Sequence, residues 1–387
     1  MKNKYEAIQN TQANIDYEGL NWQSRPLLYP DRTIRLGTSF SGIGAIEHAL
    51  NRLGVNTDIK FAGDIDADCK KSYFANYNIS EKSWHTDVHE FDAKPYKGEI
   101  DLFVGGAPCQ AFSMRGKRKG FEDTRGTLFR EFARILKECE PKVFIFENVK
   151  GILSHDGGHT WEVIKRTFEE YCNYQVYFQV LSGKDYGIPQ SRERLFCVGF
   201  KQETEFKFPA PISPDKTIFD YLESTIDTKY LLKDKGINFV TRELNHNKSF
   251  TQVNGQVALC QKRNQQFNWH GDFVYHPISN ECYSERLPIR NLSECETNYF
   301  AGEDVGKYAA SLFDSSVLSM DSPNSYNPNI GVFRKLTPRE CLRLMGFDDT
   351  FNIVVPDTAA YKQSGNSIIV NVLIAILRQM DITKYGA

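Results

Sequence analysis

The sequence lacks the features that mark several broad classes of protein. Its 47 basic and 49 acidic residues leave a formal net charge of −2, which excludes an unspecific polycation but allows one local basic cleft. No stretch approaches the roughly 18 apolar residues that span a bilayer, and the N-terminus has no apolar signal-peptide run. The nine cysteines include no Cys-x-x-Cys pair, so neither a disulfide framework nor a zinc knuckle is indicated. We therefore expect a cytoplasmic protein with reduced thiols and no membrane segment.

Strand and helix patterns alternate over the first half of the chain. Apolar strand patterns such as TIRLGTSF and PKVFIFENV alternate with amphipathic helix patterns such as TLFREFARILKECE. This alternation predicts an α/β fold with a mostly parallel sheet covered on both faces. From about residue 205 to 333 the chain is richer in Asn, Gln and Ser and has weak periodicity, which indicates a smaller mixed or β-rich domain.

Helical patterning returns near the C-terminus. In LTPRECLRLMGF, Thr337 is a predicted N-cap, Pro338 takes the first helical position and Glu340 completes a capping box. The apolar segment NSIIVNVLIAILRQM predicts a closing helix, which we expect to pack back on the first domain because it is too apolar to stand alone.

The loop after the first predicted strand has the composition of a ligand-binding turn. In TSFSGIGA, Gly42 and Gly44 permit a tight turn in which backbone amides approach a ligand closely. Taken alone, this pattern fits an ordinary strand-to-helix turn equally well. Asp64 follows the second strand about 20 residues later, a spacing that suits a carboxylate gripping a ribose diol.

Neighbouring acids qualify that interpretation. Asp66 and Asp68 compete with Asp64 for the ribose, or cap the following helix. Position 47 is Glu, so a complete G-x-G-x-x-G is absent, and a dinucleotide pyrophosphate would sit poorly beside this carboxylate. The pattern therefore predicts an adenosine-containing cofactor, disfavours NAD and leaves S-adenosylmethionine open.

The most distinctive segment is GGAPCQAFSMRGKRKGFEDTRGTLF. Cys109 directly follows Pro108 at the end of a buried strand, where backbone amides would lower its pKa from about 8.5 and favour the reactive thiolate. A lone cysteine is more often a small buried apolar residue. A glycine-flanked basic run follows, which suits a phosphate-backbone clamp but also fits a solvated loop. Its basic residues are Arg115, Lys117, Arg118 and Lys119.

Two further segments place charged side chains at strand ends. Glu147 follows the buried strand VFIF, where burial would suit its carboxyl to acid–base work; the competing interpretation is a cap formed with Asn148. In IPQSRERLF, Arg192 and Arg194 alternate on a strand and should share one face, with Glu193 pointing away. Two adjacent guanidiniums suit a phosphate or a pyrimidine carbonyl, although a surface ion pair would explain either arginine alone.

Together these segments resemble the cytosine-5 DNA methyltransferases, most closely the prokaryotic enzymes of restriction–modification systems. The matching blocks occur in the family order and cover most of residues 36–200 and 333–380. They are FSGIG, DID, TDV, GGAPCQAFS, RGTLF, FENVKG, DYGIPQSRERLF, RKLTPRECLRLMGF and YKQSGNS. The resemblance implies a Rossmann-like S-adenosylmethionine-dependent sheet over residues 31–204 and 334–387, a target-recognition domain over 205–333 and an N-terminal extension over 1–30.

The resemblance also implies a cofactor pocket for S-adenosyl-L-methionine. Its residues would be Phe40, Ser41, Gly42, Ile43, Gly44, Asp64, Ile65, Asp87, Val88, Pro108, Leu128, Asn366, Ser367 and Ile368. Asp64 would bind the ribose hydroxyls, and Phe40 and Ile65 would contact the adenine. Asp87 and Val88 would recognise the adenine amine. Thr38, Ala45 and Ile65 depart from residues common in the family, which affects the cofactor pocket and leaves the catalytic set complete.

For catalysis the resemblance implies Cys109 as nucleophile, Glu147 as proton donor to cytosine N3, and Arg194, beside Arg192, oriented on the cytosine carbonyl. Gln110 and Ser113 would contact the DNA strand near the flipped base, and the basic run would close over it.

The implied partner is double-stranded DNA, with a cognate restriction endonuclease as a further partner that need not associate stably. We expect a monomer, because methylating one strand needs only one catalytic centre, and a nucleoid-associated location when the protein is on DNA. No metal is expected, since His85/His89 and His155/His159 have i, i+4 spacing but no third ligand.

Two alternatives remain open at this stage. The family's tRNA-directed branch is smaller between RERLF and RKLTP and carries a Cys-Phe-Thr signature absent here, so the large central region favours DNA. A catalytically inactive binding protein on this scaffold would have lost the nucleophile or acid, but Cys109, Glu147 and Arg194 are all present.

Overall fold

A seven-stranded sheet forms the centre of the computed structural model, which describes residues 21–108, 128–242, 251–264, 266, 269–277, 289–290 and 331–387. Its strands are β1 (Thr33–Ser39), β2 (Asn56–Gly63), β3 (Trp84–His85), β4 (Leu102–Gly105), β5 (Val143–Val149), β6 (Gln175–Ser182) and β7 (Glu193–Phe200). The strand order is β3-β2-β1-β4-β5-β7-β6, and only the pairings made by β7 are antiparallel. The predicted mostly parallel α/β sheet is confirmed.

The order reverses between β1 and β4, so a crevice opens at the carboxyl ends of these strands. Strands β4 and β5 are apolar on both faces because helices cover each side of the sheet. Leu102 and Ile145 belong to one core cluster, whereas their neighbours Phe103 and Phe144 belong to the other. This alternation follows from the two-residue period of a strand.

Eight α-helices are present in the described ranges. They are α1 (Ala45–Arg52), α2 (Ala67–Asn76), α3 (Leu128–Cys139), α4 (His159–Arg166), α5 (Asp234–Val240), α6 (Pro338–Arg343), α7 (Asp357–Asn366) and α8 (Val370–Met380). Helices α1 and α8 pack in the first core cluster and α3 and α4 in the second. The expectation that the closing helix returns to the first domain is therefore confirmed. It begins at Val370 instead of Asn366, because α7 occupies the preceding residues.

A smaller three-stranded sheet follows the large one in the chain. It contains β9 (Thr251–Val253), β10 (Gly271–Pro277) and β12 (Gly331–Lys335), in the order β12-β10-β9. A separate two-residue pairing joins β8 (Ile226–Asp227) to β11 (Ile289–Arg290). Helix α5 packs on the three-stranded sheet in a core of its own, which includes Ile237, Phe273 and Phe333. The described residues of this region thus have the mixed helix-and-strand character expected of it.

The predicted capping box at α6 is confirmed. The backbone N–H of Glu340 donates to Thr337 Oγ1 at 3.1 Å, and the N–H of Thr337 donates to Glu340 Oε2 at 2.8 Å. Pro338 opens the helix, as expected from its fixed φ. No helix in the ranges given above has the length and hydrophobicity to cross a membrane.

Candidate active site

The loop after β1 is tied to the end of β2 by its own backbone and by one side chain. The N–H of Ser41 donates to the Gly63 carbonyl at 2.9 Å, and the N–H of Gly63 donates to Ser41 Oγ at 2.9 Å. Phe40, Gly42 and Gly44 all have positive φ, of 57°, 55° and 80°. A side chain at Gly42 would meet nothing within 4 Å, so this turn presents open backbone to the crevice.

Asp64 is the acid that contacts this loop. Its Oδ2 accepts a hydrogen bond from the Gly42 N–H at 3.0 Å, and its Oδ1 accepts one from the Asp66 N–H at 2.9 Å. Burial raises the pKa of Asp64 above its ordinary value. Asp66 instead caps α2 by accepting from the Asp68 N–H at 2.9 Å. The structure thus separates the loop-contacting acid from the capping acid, which the sequence left open.

The ends of β2 and β3 supply the next predicted cofactor residues. Ile65 is 78% exposed although it is large and apolar. Asp87 accepts a hydrogen bond from the His89 N–H at 2.9 Å, and the hydrogen bonds from His89 lower the pKa of its carboxyl. Val88 is buried. His85, which sequence reasoning assigned no role, contacts Ser39 Oγ at 3.2 Å through Nε2, and burial lowers its pKa to about 4.

The other predicted cofactor residues come from several elements. Ile43 is buried in the turn before α1, Pro108 is exposed after β4, and Leu128 opens α3. At the end of α7, Asn366 is exposed, while Ser367 and Ile368 are half-buried.

An adenosine-bearing cofactor fits this set of residues. The carboxylate of Asp64 lies beside an open glycine turn. Half-buried Phe40 directly precedes that turn, and exposed Ile65 directly follows Asp64. A carboxylate suits a ribose diol, and apolar side chains suit an adenine face. S-adenosylmethionine would be held by these residues, and its sulfonium would supply the electrophilic methyl group.

A buried acid and an arginine meet at the ends of β5 and β7. Glu147 Oε1 lies 3.1 Å from Arg194 Nε, and their side chains are 12% and 18% exposed. Burial raises the pKa of Glu147 above its ordinary value, while the positive charges of Arg194 and Arg192 oppose that rise. A Cβ on Gly106 would lie 3.0 Å from Glu147 Oε2, so this glycine allows the carboxyl to approach the segment that leads to Cys109.

The side chain of Asn148 also contacts the segment that leads from β4 to Cys109. Its Nδ2 donates to the carbonyl of Ala107 at 3.0 Å, and its Oδ1 accepts from the Val149 N–H at 2.9 Å. The alternative reading of Asn148 as a helix cap is therefore wrong, because its side chain joins β5 to the end of β4. The predicted nucleophile and the predicted DNA contacts lie outside the described residues. These are Cys109, Gln110, Ser113, Arg115, Lys117, Arg118 and Lys119.

Arg192 and Arg194 lie close together, as expected, and both lie near the same cysteine. Strand β7 begins at Glu193, so Arg192 precedes it. Glu193 points away and lies 3.1 Å from Lys150 Nζ. Nη1 of Arg192 and Nη1 of Arg194 lie 3.9 and 4.0 Å from Cys260 Sγ. Sequence reasoning missed Cys260, since no local pattern marks it.

Sequence reasoning also missed a hydrogen-bond network beneath the loop after β1. Buried Glu47 accepts from Tyr73 Oη at 2.6 Å and from Thr38 Oγ1 at 3.1 Å. Thr38 Oγ1 lies 2.7 Å from Ser41 Oγ. Burial raises the pKa of Glu47 to about 7. The interrupted glycine pattern at position 47 was the available signal.

Across the described chain, no group of three or more His, Cys, Asp or Glu side chains is placed to hold a metal ion.

Comparison with known proteins covers most of the chain. A family model described as C-5 cytosine-specific DNA methylase matches residues 35–381. The type II methyltransferase M.SsoII of Shigella sonnei is 36% identical over 349 residues, which cover 89% of this chain and 79% of the relative. M.HhaI of Haemophilus parahaemolyticus is 32% identical over 338 residues, covering 86% and 90%.

Solved structures show the same fold at lower identity. The S. pombe Dnmt2 methyltransferase has a TM-score of 0.60 at 22% identity, covering 89% of this chain and 97% of that one. A putative E. coli prophage DNA modification methyltransferase has a TM-score of 0.53 at 23% identity, covering 89% and 98%. Because the family model spans nearly the whole chain and the type II relatives match most of it, this protein belongs to the C-5 cytosine-specific DNA methylase family and is a DNA cytosine-5 methyltransferase of the restriction–modification type.

Proposed function

We propose that this enzyme transfers a methyl group from S-adenosylmethionine to carbon 5 of one specific cytosine in double-stranded DNA, through a covalent bond between Cys109 and cytosine C6. The observation that carries the proposal is the ion pair of Glu147 and Arg194 at the strand ends, 3.1 Å apart. It adjoins Gly106, three residues before Cys109. An acid, a cation and a thiol would then converge on one pyrimidine ring.

The reaction needs each of these groups because cytosine C5 is a poor nucleophile. The Cys109 thiolate adds to C6, and the electron pair of the C5–C6 bond shifts to produce an enamine that is nucleophilic at C5. Glu147 delivers a proton to N3, and Arg194 donates to the ring carbonyl, so the charge that accumulates during addition is stabilised. After C5 takes the methyl group, which leaves S-adenosylhomocysteine, loss of the C5 proton to a base expels Cys109 as thiolate and restores the C5–C6 double bond. N3 returns its proton to the Glu147 carboxylate, so the acid is ready for the next turnover.

The raised pKa of Glu147 supports its role as the acid. A carboxyl with an ordinary pKa would hold little proton near neutral pH, so it would be a weak donor to N3. Burial favours the protonated form, and the neighbouring arginines stabilise the carboxylate once the proton has left. Both states are therefore accessible during one turnover.

The target cytosine must leave the duplex to reach Cys109, which costs a few kcal/mol of stacking and pairing. Arg115, Lys117, Arg118 and Lys119 would contact the phosphate backbone around the gap. In the proposed recognition domain, Arg263 and Asn264 are exposed and could read base edges. Gln266 is buried, and its Nε2 contacts the Asp272 carbonyl at 3.5 Å, so it is the less suitable reader.

Labelled methyl transfer to DNA tests the proposal. Wild-type protein should label duplex DNA, Cys109→Ser should not, and 5-fluorocytosine in the recognised site should trap a covalent adduct at Cys109. Cys172→Ser is the matched control, because this buried thiol lies beyond α4, directly after the helical turn Thr167–Tyr171, with its Sγ 3.6 Å from the Ala133 carbonyl. Equal labelling by Cys109→Ser and wild type would refute the mechanism, and equal labelling of tRNA and duplex DNA would refute the substrate. Bisulfite sequencing of DNA from expressing cells would identify the site.

A further inference from the structure

Arg192 joins two distant parts of the chain through their backbones. Its Nη1 donates to the carbonyl of Gln261 at 2.7 Å, and its Nη2 donates to the carbonyl of Ser367 at 2.8 Å. Only 4% of the residue is exposed. Gln261 lies in the proposed recognition domain, and Ser367 lies in the segment proposed to hold the methyl donor. The side chain thus spans from one functional segment to the other.

This placement of Arg192 carries an energetic cost. The guanidinium is buried next to the like charge of Arg194, and its Nε has no hydrogen-bond partner among the residues that the structure describes. Burying a charged group is expensive unless specific interactions compensate. The compensation here comes from the two backbone carbonyls and from the negative charge of Glu147, so displacing either backbone segment would leave the guanidinium less well satisfied.

The recognition-domain side of this junction pairs with the segment that carries Arg192. The N–H of Ala258 donates to the Pro189 carbonyl at 2.7 Å, and the N–H of Ser191 donates to the Ala258 carbonyl at 2.8 Å. The N–H of Gln261 donates to Gln190 Oε1 at 3.1 Å. Residues 258–261 therefore run along the segment that carries Arg192, and an exposed turn at residues 262–264 follows directly.

A close backbone approach forms a second contact across the same junction. A Cβ on Gly365 would lie 2.4 Å from the carbonyl carbon of Lys262 and 2.6 Å from the backbone nitrogen of Arg263. Only glycine fits between these backbones without displacement. Gly365 directly precedes Asn366 and Ser367, so the donor segment and the exposed turn are in contact here as well as through Arg192.

We propose that Arg192 is a positioning residue that couples the two sites: donor binding at residues 366–368 orders the recognition turn at 258–264, and DNA bound to that turn orders the donor segment. This coupling rests on the proposed function, since it assumes that S-adenosylmethionine binds near Ser367 and that the turn contacts DNA. By linkage, each ligand tightens binding of the other by the same factor.

Hydrogen–deuterium exchange on the full chain, with and without S-adenosylhomocysteine, tests the coupling without DNA. In the wild type the ligand should protect peptides containing residues 366–368 and also those containing 258–262. Arg192→Lys should keep the protection of residues 366–368 and lose that of residues 258–262, because one ammonium cannot satisfy both carbonyls in the fork geometry of Arg. Gly365→Ala should also lose the protection of residues 258–262, since the added methyl group separates the two backbones while Arg192 itself is unchanged.

Arg52→Lys is the matched control. Arg52 Nη1 also bridges two acceptors, the Gly346 carbonyl and Asn371 Oδ1, each at 2.7 Å, but it joins α1 to the start of α8. This variant should keep both protections. Wild-type protection confined to residues 366–368, or unchanged protection at 258–262 in Arg192→Lys, would overturn the coupling. No binding of S-adenosylhomocysteine by the wild type would overturn the proposed donor itself, and the coupling with it.

DNA affinity gives a second readout. With a duplex carrying the site mapped by bisulfite sequencing, S-adenosylhomocysteine should tighten wild-type DNA binding by about 5-fold or more, the lower end of typical couplings. Arg192→Lys should reduce this factor to about 2-fold or less. If Arg192 only stabilised the fold, its replacement would lower the melting temperature and leave the factor unchanged, which would refute the proposal.

Discussion

Replacing Glu340 with glutamine tests the buried ion pair that joins the small sheet to α6. Arg334, on β12, donates from Nη1 and Nη2 to Glu340 at 2.7 and 2.9 Å, and both side chains are fully buried. Arg334 Nε contacts His276 Nε2 at 3.0 Å. Burial, reinforced by the charge of Arg334, lowers the pKa of His276 to about 3, so this histidine is neutral. In Glu340→Gln the guanidinium would lose its carboxylate.

The size of the effect follows from this geometry. Breaking a fully buried pair by removing one partner costs about 3–5 kcal/mol, because an uncompensated charge stays behind. An unfolding entropy of about 2.1 cal/mol/K per residue gives roughly 0.8 kcal/mol/K for a 387-residue chain that unfolds cooperatively. Glu340→Gln should therefore lower the melting temperature by about 4–6 °C.

Thermal unfolding followed by circular dichroism measures this shift. Asp349→Asn is the control, because Asp349 pairs with Arg343 at 2.6 Å but is 61% exposed. Exposed pairs contribute about 1 kcal/mol or less, so the control should shift the melting temperature by roughly 1 °C. The double variant Arg334→Met/Glu340→Gln should lower the melting temperature by less than the sum of the two single changes, since no buried charge is then left unpaired. A shift for Glu340→Gln no larger than that of the control would show that the buried ion pair does not stabilise the fold.

Three further predictions concern the crevice. Glu147→Gln should lower the single-turnover rate of methyl transfer by about 10²–10⁴-fold without changing the fold, because the amide has no proton to give to N3; a loss below tenfold would contradict its role as acid. Asp64→Asn should weaken S-adenosylhomocysteine binding by about 10- to 100-fold in calorimetry, since a charged hydrogen bond to the ribose is lost; unchanged affinity would exclude it from the pocket. Glu47→Gln tests pH dependence: burial raises the folded pKa from 4.5 to about 7, so the wild type loses stability as pH rises through this window. In urea unfolding, the free energy of unfolding of Glu47→Gln should therefore rise relative to that of the wild type by about 3 kcal/mol between pH 4.5 and 7. A difference that stays constant over this range would show that Glu47 does not titrate there.

Local patterns in the sequence were sufficient for the main elements of the fold. The alternation of strand and helix patterns predicted the large sheet, and the capping box at Thr337 appears as expected. Helix α7 was missed because it is buried on several sides and includes buried polar residues such as Gln363 and Ser364. It therefore has no apolar stripe to read. Strand β3 has only two residues, too few to show a period.

The residue types of the candidate site could also be read from the sequence, because Asp64, Glu147 and Arg194 each follow or begin a recognisable strand. The sequence could not assign their partners. The contact that separates Asp64 from Asp66 is the hydrogen bond from Gly42, which depends on how the β1 loop meets the end of β2. In the sequence, Glu47 is recognisable only as the residue that interrupts a glycine pattern. Its hydrogen bonds with Tyr73 and Thr38 are visible only in the structure.

Local sequence was enough to predict most of the elements, the order of the motifs and the chemistry available at the strand ends, since these depend on hydrogen bonding and periodicity over a few neighbouring residues. Tertiary structure alone decided which groups meet. Arg192 reaches carbonyls 69 and 175 residues away along the chain. No local pattern encodes such a choice, because it follows from the packing of whole layers that bring the two backbones to one side chain.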